Sequence, residues 1–258
     1  PGSTGLETID YRLTDNWADP PGADTDGPSE HLARLPETAW CFTPLSGSPP
    51  AGPLPVTQGT PLTFGCFNNF AKVNDDLLQL WVRILRQVPG SRLALKNLAV
   101  GNASVIQRVQ TFFAQQGIDA ARLELTPRTP SPLDHLKCYD RVDLALDTFP
   151  YHGTTTTCEA LWMGVPVVTL AGSSHVSRVG ASLLTNVGLP ECVTHSPDEY
   201  VEVAVALAGD FPRLAAIRAS LRDRMLASPL MDGPRFARAV EAALRTMWRK
   251  WSASTNVP

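Results

Sequence analysis

The sequence predicts an α/β domain with a doubly wound parallel sheet, preceded by an irregular N-terminal segment. Three observations carry this expectation. From residue 61 onward, short apolar runs of strand length alternate with amphipathic stretches of helix length, the pattern of consecutive βαβ units. Cap and breaker residues stand where one period gives way to the other. The first 60 residues differ in kind: they hold ten of the 23 prolines, with eight acidic and two basic residues, whereas residues 61–258 carry 20 basic and 17 acidic ones.

Within residues 1–60, Pro20-Pro21, Pro49-Pro50 and Pro53-Leu54-Pro55 interrupt any regular element. One short helix is predicted over residues 29–35, stopped by Pro36. Tyr11, Trp17, Trp40 and Phe42 need an apolar surface to pack on, so the segment reads as a strap over another domain. Residues 62–67 form a buried strand. Asn74 is an N-cap, Asp75 and Asp76 suit a helix N-terminus, and Leu77, Leu78, Trp81, Ile84, Leu85 and Val88 share one helical face. Pro89-Gly90 ends that helix. A strand over 92–95, a helix carrying Val105, Ile106, Val109, Phe112 and Phe113 and ended by Gly117, and a strand over 122–125 follow. Ser131-Pro132 is an N-cap with proline at the first helical position, opening a helix to about Tyr139. A strand over 142–146, a helix over 155–163 and a strand over 166–170 come next. Helices near 177–187, 197–208, 212–226 and 234–251 complete the chain. No internal repeat is evident.

Composition excludes several functions. The chain has 258 residues, 43% hydrophobic and 18% charged, with a net charge of −3. That balance suits a folded globular chain and gives no basic patch for a nucleic-acid partner. No apolar run approaches the roughly 18–20 residues of a membrane helix. Cys41, Cys66, Cys138, Cys158 and Cys192 are odd in number and widely spaced, without CxxC or Cys/His ligand spacing. They are expected to be buried free thiols in a reducing, cytoplasmic compartment. The chain opens on Pro1-Gly2-Ser3-Thr4-Gly5, with no initiator Met and no visible signal peptide, and reads as a segment beginning inside a longer protein.

In a doubly wound sheet, ligands bind beyond the carboxyl ends of the strands, near the reversal of strand order. Three loops fall there: Phe67-Asn68-Asn69-Phe70-Ala71-Lys72, Thr126-Pro127-Arg128-Thr129-Pro130-Ser131, and the run from Asp147 through His152-Gly153-Thr154-Thr155-Thr156-Thr157. In the third, Gly153 permits close backbone approach, and the threonine run enters a helix whose first N–H groups and dipole suit an anion. Alternatively, Thr155 or Thr156 merely caps that helix. Glu159, one turn in, is placed to accept from a ribose hydroxyl. Lys72 is either a phosphate partner or a solvated surface lysine. His135 and His152 are either ligand contacts or structural, and Asp75-Asp76 is helix capping, not a metal pair. Arg178 reaches an anion or forms a helix-face salt bridge. Neither GxGxxG nor GxxxxGK[ST] is present.

Together these motifs, with Ala145-Leu146-Asp147-Thr148, Cys158-Glu159-Ala160-Leu161-Trp162-Met163-Gly164-Val165-Pro166 and Ser177-Arg178-Val179, resemble the C-terminal catalytic half of the O-linked N-acetylglucosamine transferase/SPINDLY family. The resemblance is nearest to bacterial members and extends over essentially the whole chain, including Asp10-Tyr11 and the stretch from Ser29 to Pro36. It implies the C-terminal nucleotide-binding domain of a GT-B glycosyltransferase over residues 61–258. Residues 1–60 would then be the end of the N-terminal catalytic domain plus a linker. It further implies a metal-independent, inverting transfer of GlcNAc from UDP-GlcNAc to protein Ser/Thr hydroxyls. No cofactor is implied beyond the donor. An upstream catalytic domain and tetratricopeptide repeats are implied as partners of this half, which alone would be inactive.

By position, Lys72 matches the family's catalytic lysine on the donor diphosphate. Asn69 stands at a usual Gln facing the same group. His135 matches the histidine near the base and phosphate, and Pro130 the position whose backbone reads the base. Thr154, Thr155 and Thr156 match the phosphate-binding helix start, and Glu159 stands where an Asp usually holds the ribose. Thr154 replaces the His of animal members, and Pro132 and Cys138 replace basic residues near the base. Plant SPINDLY relatives use GDP-fucose, which gives an alternative donor. A non-catalytic nucleotide-binding module is the alternative outside enzymes.

Overall fold

The computed structural model describes residues 2–22, 30–96 and 102–255. Six strands form one parallel sheet: β3 (Thr63–Cys66), β4 (Arg92–Lys96), β5 (Leu123–Thr126), β6 (Leu144–Leu146), β7 (Val167–Leu170) and β8 (Val193–Thr194). Their spatial order is β5-β4-β3-β6-β7-β8. The chain builds outward from β3 through β4 and β5, then returns to pair β6 on the other side of β3. The order therefore reverses between β3 and β6, which opens a crevice at their carboxyl ends.

The predicted helices form where their caps stand. In α1 (Asp75–Gln87), the Asn74 side chain accepts from the Leu77 N–H at 2.8 Å. Leu77, Leu78, Trp81, Ile84 and Leu85 are buried against the sheet's core. A side chain such as the fully buried Trp81 contributes on the order of 1.5–3 kcal/mol by leaving water. α2 (Ala103–Gln115) buries Val109 and Phe113, and Gly117 follows it in the left-handed region at φ 73°. Ser131 caps α3 (Pro132–Lys137), accepting from the Asp134 N–H at 3.1 Å. α4 (Thr155–Trp162), α5 (Val179–Asn186), α6 (Pro197–Gly209), α7 (Phe211–Leu226) and α8 (Gly233–Thr255) complete the described helices. α1 packs on α6, and α4 on α7. Within β3, glycine is required at residue 65: a Cβ there would lie 2.7 Å from Val142 Cγ1.

The N-terminal segment departs from expectation in two respects. Residues 31–35 form a strand, not a helix: β2 (His31–Leu35) pairs in parallel with β1 (Tyr11–Asp15), from Tyr11 opposite His31 to Asp15 opposite Leu35. A helix so short cannot offset its nucleation cost, whereas a neighbouring strand satisfies each backbone group at once. Pro36 ends either element. Ser29, the start of the expected helix, lies outside the described residues. The second departure concerns Trp17, which is exposed, whereas Trp40 and Phe42 pack against the main core.

The segment is held to the sheet domain by specific bonds. Buried Asp15 accepts from Ser182 Oγ at 2.6 Å. Asp19 meets His175 Nδ1 at 2.7 Å. Burial acts to raise the Asp19 pKa, but hydrogen bonds from His175 and Thr14 and the charge of Arg12 bring it down to about 2. Arg218 donates to Gly52 O at 2.8 Å, and the Val56 N–H donates to Asp143 Oδ1 at 2.8 Å. Between β2 and α8 lies a cavity of about 800 Å³, to whose lining residues 67–72, 126–131 and 147–157 contribute nothing.

Candidate active site

The crevice has two sides. On the first, β6 ends in the buried Asp147. Its Oδ1 accepts from the N–H groups of Thr148 (2.9 Å) and Gly153 (2.8 Å) and from Asn68 Nδ2 (3.1 Å). Its Oδ2 accepts from Thr169 Oγ1 at 2.9 Å. The Tyr200 hydroxyl donates to the Asp147 carbonyl at 3.0 Å, while Asn74 Nδ2 donates to the Phe149 carbonyl at 2.9 Å. The loop from 148 to 153 is thus folded around one carboxylate.

His152 is fully buried within the same network. Its Nε2 donates to the Leu170 carbonyl at 2.8 Å, and its Nδ1 accepts from the Gly180 N–H at 3.0 Å. Burial lowers its pKa, opposed by the Asp147 charge, in keeping with a neutral ring that needs Nδ1 as an acceptor. Gly153 admits no side chain: a Cβ would sit 2.7 Å from Asn68 Oδ1 and 2.8 Å from Thr157 Oγ1.

Lys72 reaches this loop. Its ammonium donates to the His152 carbonyl at 2.7 Å and lies 4.2 Å from the Tyr151 ring centroid. Desolvation lowers its pKa, opposed by the charge of Asp147. α4 starts immediately after the loop. Neither Thr155 nor Thr156 caps it: Thr154 holds the N-cap position and its side chain makes no cap bond. Thr155 is exposed and Thr156 half-buried, so the first turn of α4 opens toward the crevice without a capping oxygen over its N–H groups. Asn69 is exposed at the crevice edge, where its side chain accepts from the Ala71 N–H at 3.1 Å. Beneath, burial pushes the thiols of Cys66 and Cys158 up to about 12, which leaves them inert as nucleophiles.

On the second side, Phe67, Lys96, Arg128, Pro130, Ser131 and His135 line an open cavity of about 290 Å³. Here the side chains form a chain: Lys96 Nζ stands 2.7 Å from His135 Nδ1, and His135 Nε2 stands 3.1 Å from Glu159 Oε2. A charged lysine can only donate, so Nδ1 accepts and Nε2 carries the hydrogen toward Glu159. His135 thereby links α3 to the second turn of α4.

The structure gathers Asn69, Lys72 and Thr154 to Thr156 about one end of the crevice, and joins His135 to Glu159 directly. Pro130 is exposed at the rim of the second cavity. Arg178 forms no ion pair among the described residues; its Nε donates to the Trp17 carbonyl at 3.0 Å and its Nη1 to the Gly172 carbonyl at 3.0 Å. The thiols of Cys66, Cys158 and Cys192 are free and buried as expected, but Cys41 is exposed and Cys138 only half-buried. Two side chains central to the geometry, Lys96 and Asp147, were assigned no role from the sequence. The available signal was a charged residue closing each apolar strand run, Leu93-Ala94-Leu95-Lys96 and Leu144-Ala145-Leu146-Asp147.

With this geometry in place, comparison with known proteins is informative. Residues 58–240 match the model of glycosyl transferase family 41. Over 252 residues the chain is 48% identical to the Arabidopsis thaliana protein named probable UDP-N-acetylglucosamine–peptide N-acetylglucosaminyltransferase SPINDLY, covering 97% of this chain and 27% of that one. It is 31% identical over 257 residues to the protein named probable UDP-N-acetylglucosamine–peptide N-acetylglucosaminyltransferase SEC of the same plant, covering 96% of this chain and 26% of that one. The chain thus spans about a quarter of the length of the curated relatives it matches. Among solved structures, Thermobaculum terrenum O-GlcNAc transferase superposes with a TM-score of 0.89 at 36% identity, over 98% of this chain and 48% of that one. Staphylococcal TarM, solved with UDP, shares the fold alone, with a TM-score of 0.58 at 12% identity over 83% of this chain and 39% of that one. The sheet, its strand order and the family match agree: this chain has the α/β architecture of the GT-B fold and belongs to glycosyl transferase family 41.

Proposed function

We propose that this chain is the donor-binding half of a protein O-GlcNAc transferase, which moves GlcNAc from UDP-GlcNAc to Ser/Thr hydroxyls with inversion and without a metal. The observation that carries this reading is the convergence of Lys72 and the uncapped first turn of α4 at the sheet's switch point. An acceptor hydroxyl oxygen attacks the anomeric carbon from the face opposite the diphosphate and releases its proton to solvent water. The bond from that carbon to the diphosphate oxygen breaks, and UDP leaves with its electron pair. Lys72, exchanging the His152 carbonyl for a phosphate oxygen, and the N–H groups of α4 neutralise the charge that develops there. That cationic and dipolar set supplies the counter-charge a metal would otherwise provide.

On this reading residues 61–258 form the nucleotide-sugar domain, and residues 1–60 are the end of an upstream catalytic domain and its linker. That domain completes the cleft for a protein or peptide acceptor, with tetratricopeptide repeats further upstream in a cytoplasmic enzyme. The test is transfer and UDP calorimetry with the full-length protein. Lys72→Ala is expected to lower kcat about 100-fold, a typical cost of removing a transition-state charge partner, with activity indifferent to a chelator. Undiminished transfer by that variant would remove Lys72 from the mechanism.

GDP-fucose, the donor implied by the resemblance to plant SPINDLY members, is the alternative, although both relatives compared above are named for UDP-N-acetylglucosamine. Thermal shift with each donor separates the two, because the ligand that binds the native state raises Tm. Binding of UDP without hydrolysis or transfer by the intact protein would instead indicate a non-catalytic module.

A further inference from the structure

The second cavity holds an unusual group. Lys96 closes β4, is only 3% exposed, and yet carries an ammonium. Burying such a charge is costly unless it is paired and hydrogen-bonded. Among the described residues its one hydrogen-bond acceptor is His135 Nδ1, at 2.7 Å. An ammonium has three N–H donors, so its hydrogen-bonding capacity exceeds that single bond. The ammonium is also 5.8 Å from the Phe67 ring centroid, and Lys96 and Phe67 line the same 290 Å³ cavity. An aromatic face, an exposed proline and a donor-only group around an open volume of that size suit a planar heterocycle that presents an acceptor.

We propose that Lys96 is a specificity-determining residue that selects, among nucleoside diphosphates, those whose base carries an exocyclic carbonyl where its competitor carries an amino group. Uracil differs from cytosine, and guanine from adenine, at one such position. A carbonyl oxygen accepts from Lys96, whereas an amino group turns a donor toward a donor and leaves the buried ammonium unmatched. The bond to His135 positions the ammonium, and the bond from His135 to Glu159 couples the base cavity to the first turns of α4 at 3.1 Å. The proposal rests on reading the crevice as a nucleoside diphosphate site.

The experiment is calorimetric titration of the full-length protein with UDP, CDP, GDP and ADP, for wild type, Lys96→Met and Lys96→Gln, each checked for cooperative thermal unfolding. Wild type is expected to prefer UDP over CDP, or GDP over ADP, by about 10- to 100-fold, the range for a hydrogen bond to a charged group. The preferred pair identifies the base. Lys96→Met should bring the members of that pair within about threefold of each other. Lys96→Gln, whose amide can present either a donor or an acceptor, should narrow the gap while retaining tighter binding than Lys96→Met. If wild type binds UDP or GDP but either folded variant discriminates as before, Lys96 does not read the base and the inference fails, while the nucleotide site stands. If no nucleoside diphosphate binds wild type, the underlying functional reading fails with it.

Discussion

The two sides of the crevice are built on different principles. On the side of β6 and α4, Asp147 accepts four hydrogen bonds, three of them from the loop and its neighbour Asn68, and His152 is locked by two backbone partners. Backbone groups define that side, and its buried atoms leave little freedom. On the side of β4, β5 and α3, an open cavity is bounded by exposed Arg128 and Pro130, and side chains rather than backbone groups supply its polar lining, with Lys96 bonded to His135 and His135 to Glu159. On the functional reading proposed above, the first side would hold the diphosphate common to all nucleoside diphosphates and the second the base that varies. A fixed anion site beside an adjustable base cavity would then let one fold change donors through a few side chains.

That contrast can be broken by measurement. The largest expected effect is from Asp147→Ala, which strands buried donors of Thr148, Gly153, Asn68 and Thr169 at once. It should lower unfolding free energy by about 3 kcal/mol or more in urea denaturation. A loss under about 1 kcal/mol would show that the loop does not depend on the carboxylate.

An intermediate effect is expected from acid. His152 has its pKa lowered in the folded protein from the ordinary 6.5, so below that pH the unfolded chain takes up a proton that the folded one resists. Stability should therefore fall as pH drops through about 6.5 toward the depressed folded value, and be insensitive to this group above it. His152→Gln should flatten that part of the stability profile. An unchanged profile would exclude His152 as its source.

The smallest effect is expected across the crevice. Arg128→Ala, at an exposed rim position, should change stability by less than about 0.5 kcal/mol. A much larger loss would mean that the side of β4, β5 and α3 is as tightly built as the side of β6 and α4.

The parts of the site legible in the sequence were those whose signal is local. Asn74 and Ser131 cap the helices they were expected to cap, because an N-cap acts on N–H groups two or three residues away. Gly153 before a threonine run marked the entry to α4 for the same reason. The resemblance supplied Lys72, His135 and Glu159 as one constellation, but not the direct bond between the last two. Lys96 and Asp147 escaped because partners of theirs lie far along the chain: Lys96 meets His135, on α3, 39 residues on, and Asp147 meets Asn68, just beyond β3, 79 residues back. β1 and β2 escaped for a related reason. Their pairing spans the proline-rich connection between them, and neither has a strong alternation of its own.

By itself, then, the sequence determined the alternation of strands and helices from β3 to β7, the caps of α1 and α3, and the glycine-threonine entry into α4, all of which depend on period and near-neighbour hydrogen bonding. The tertiary structure alone decided that the sheet reverses between β3 and β6, that a buried carboxylate organises the loop beside Lys72, and that a buried lysine faces the second cavity. These are long-range contacts. A residue's side chain reveals what it can donate or accept, but only the folded sheet reveals which distant group it meets.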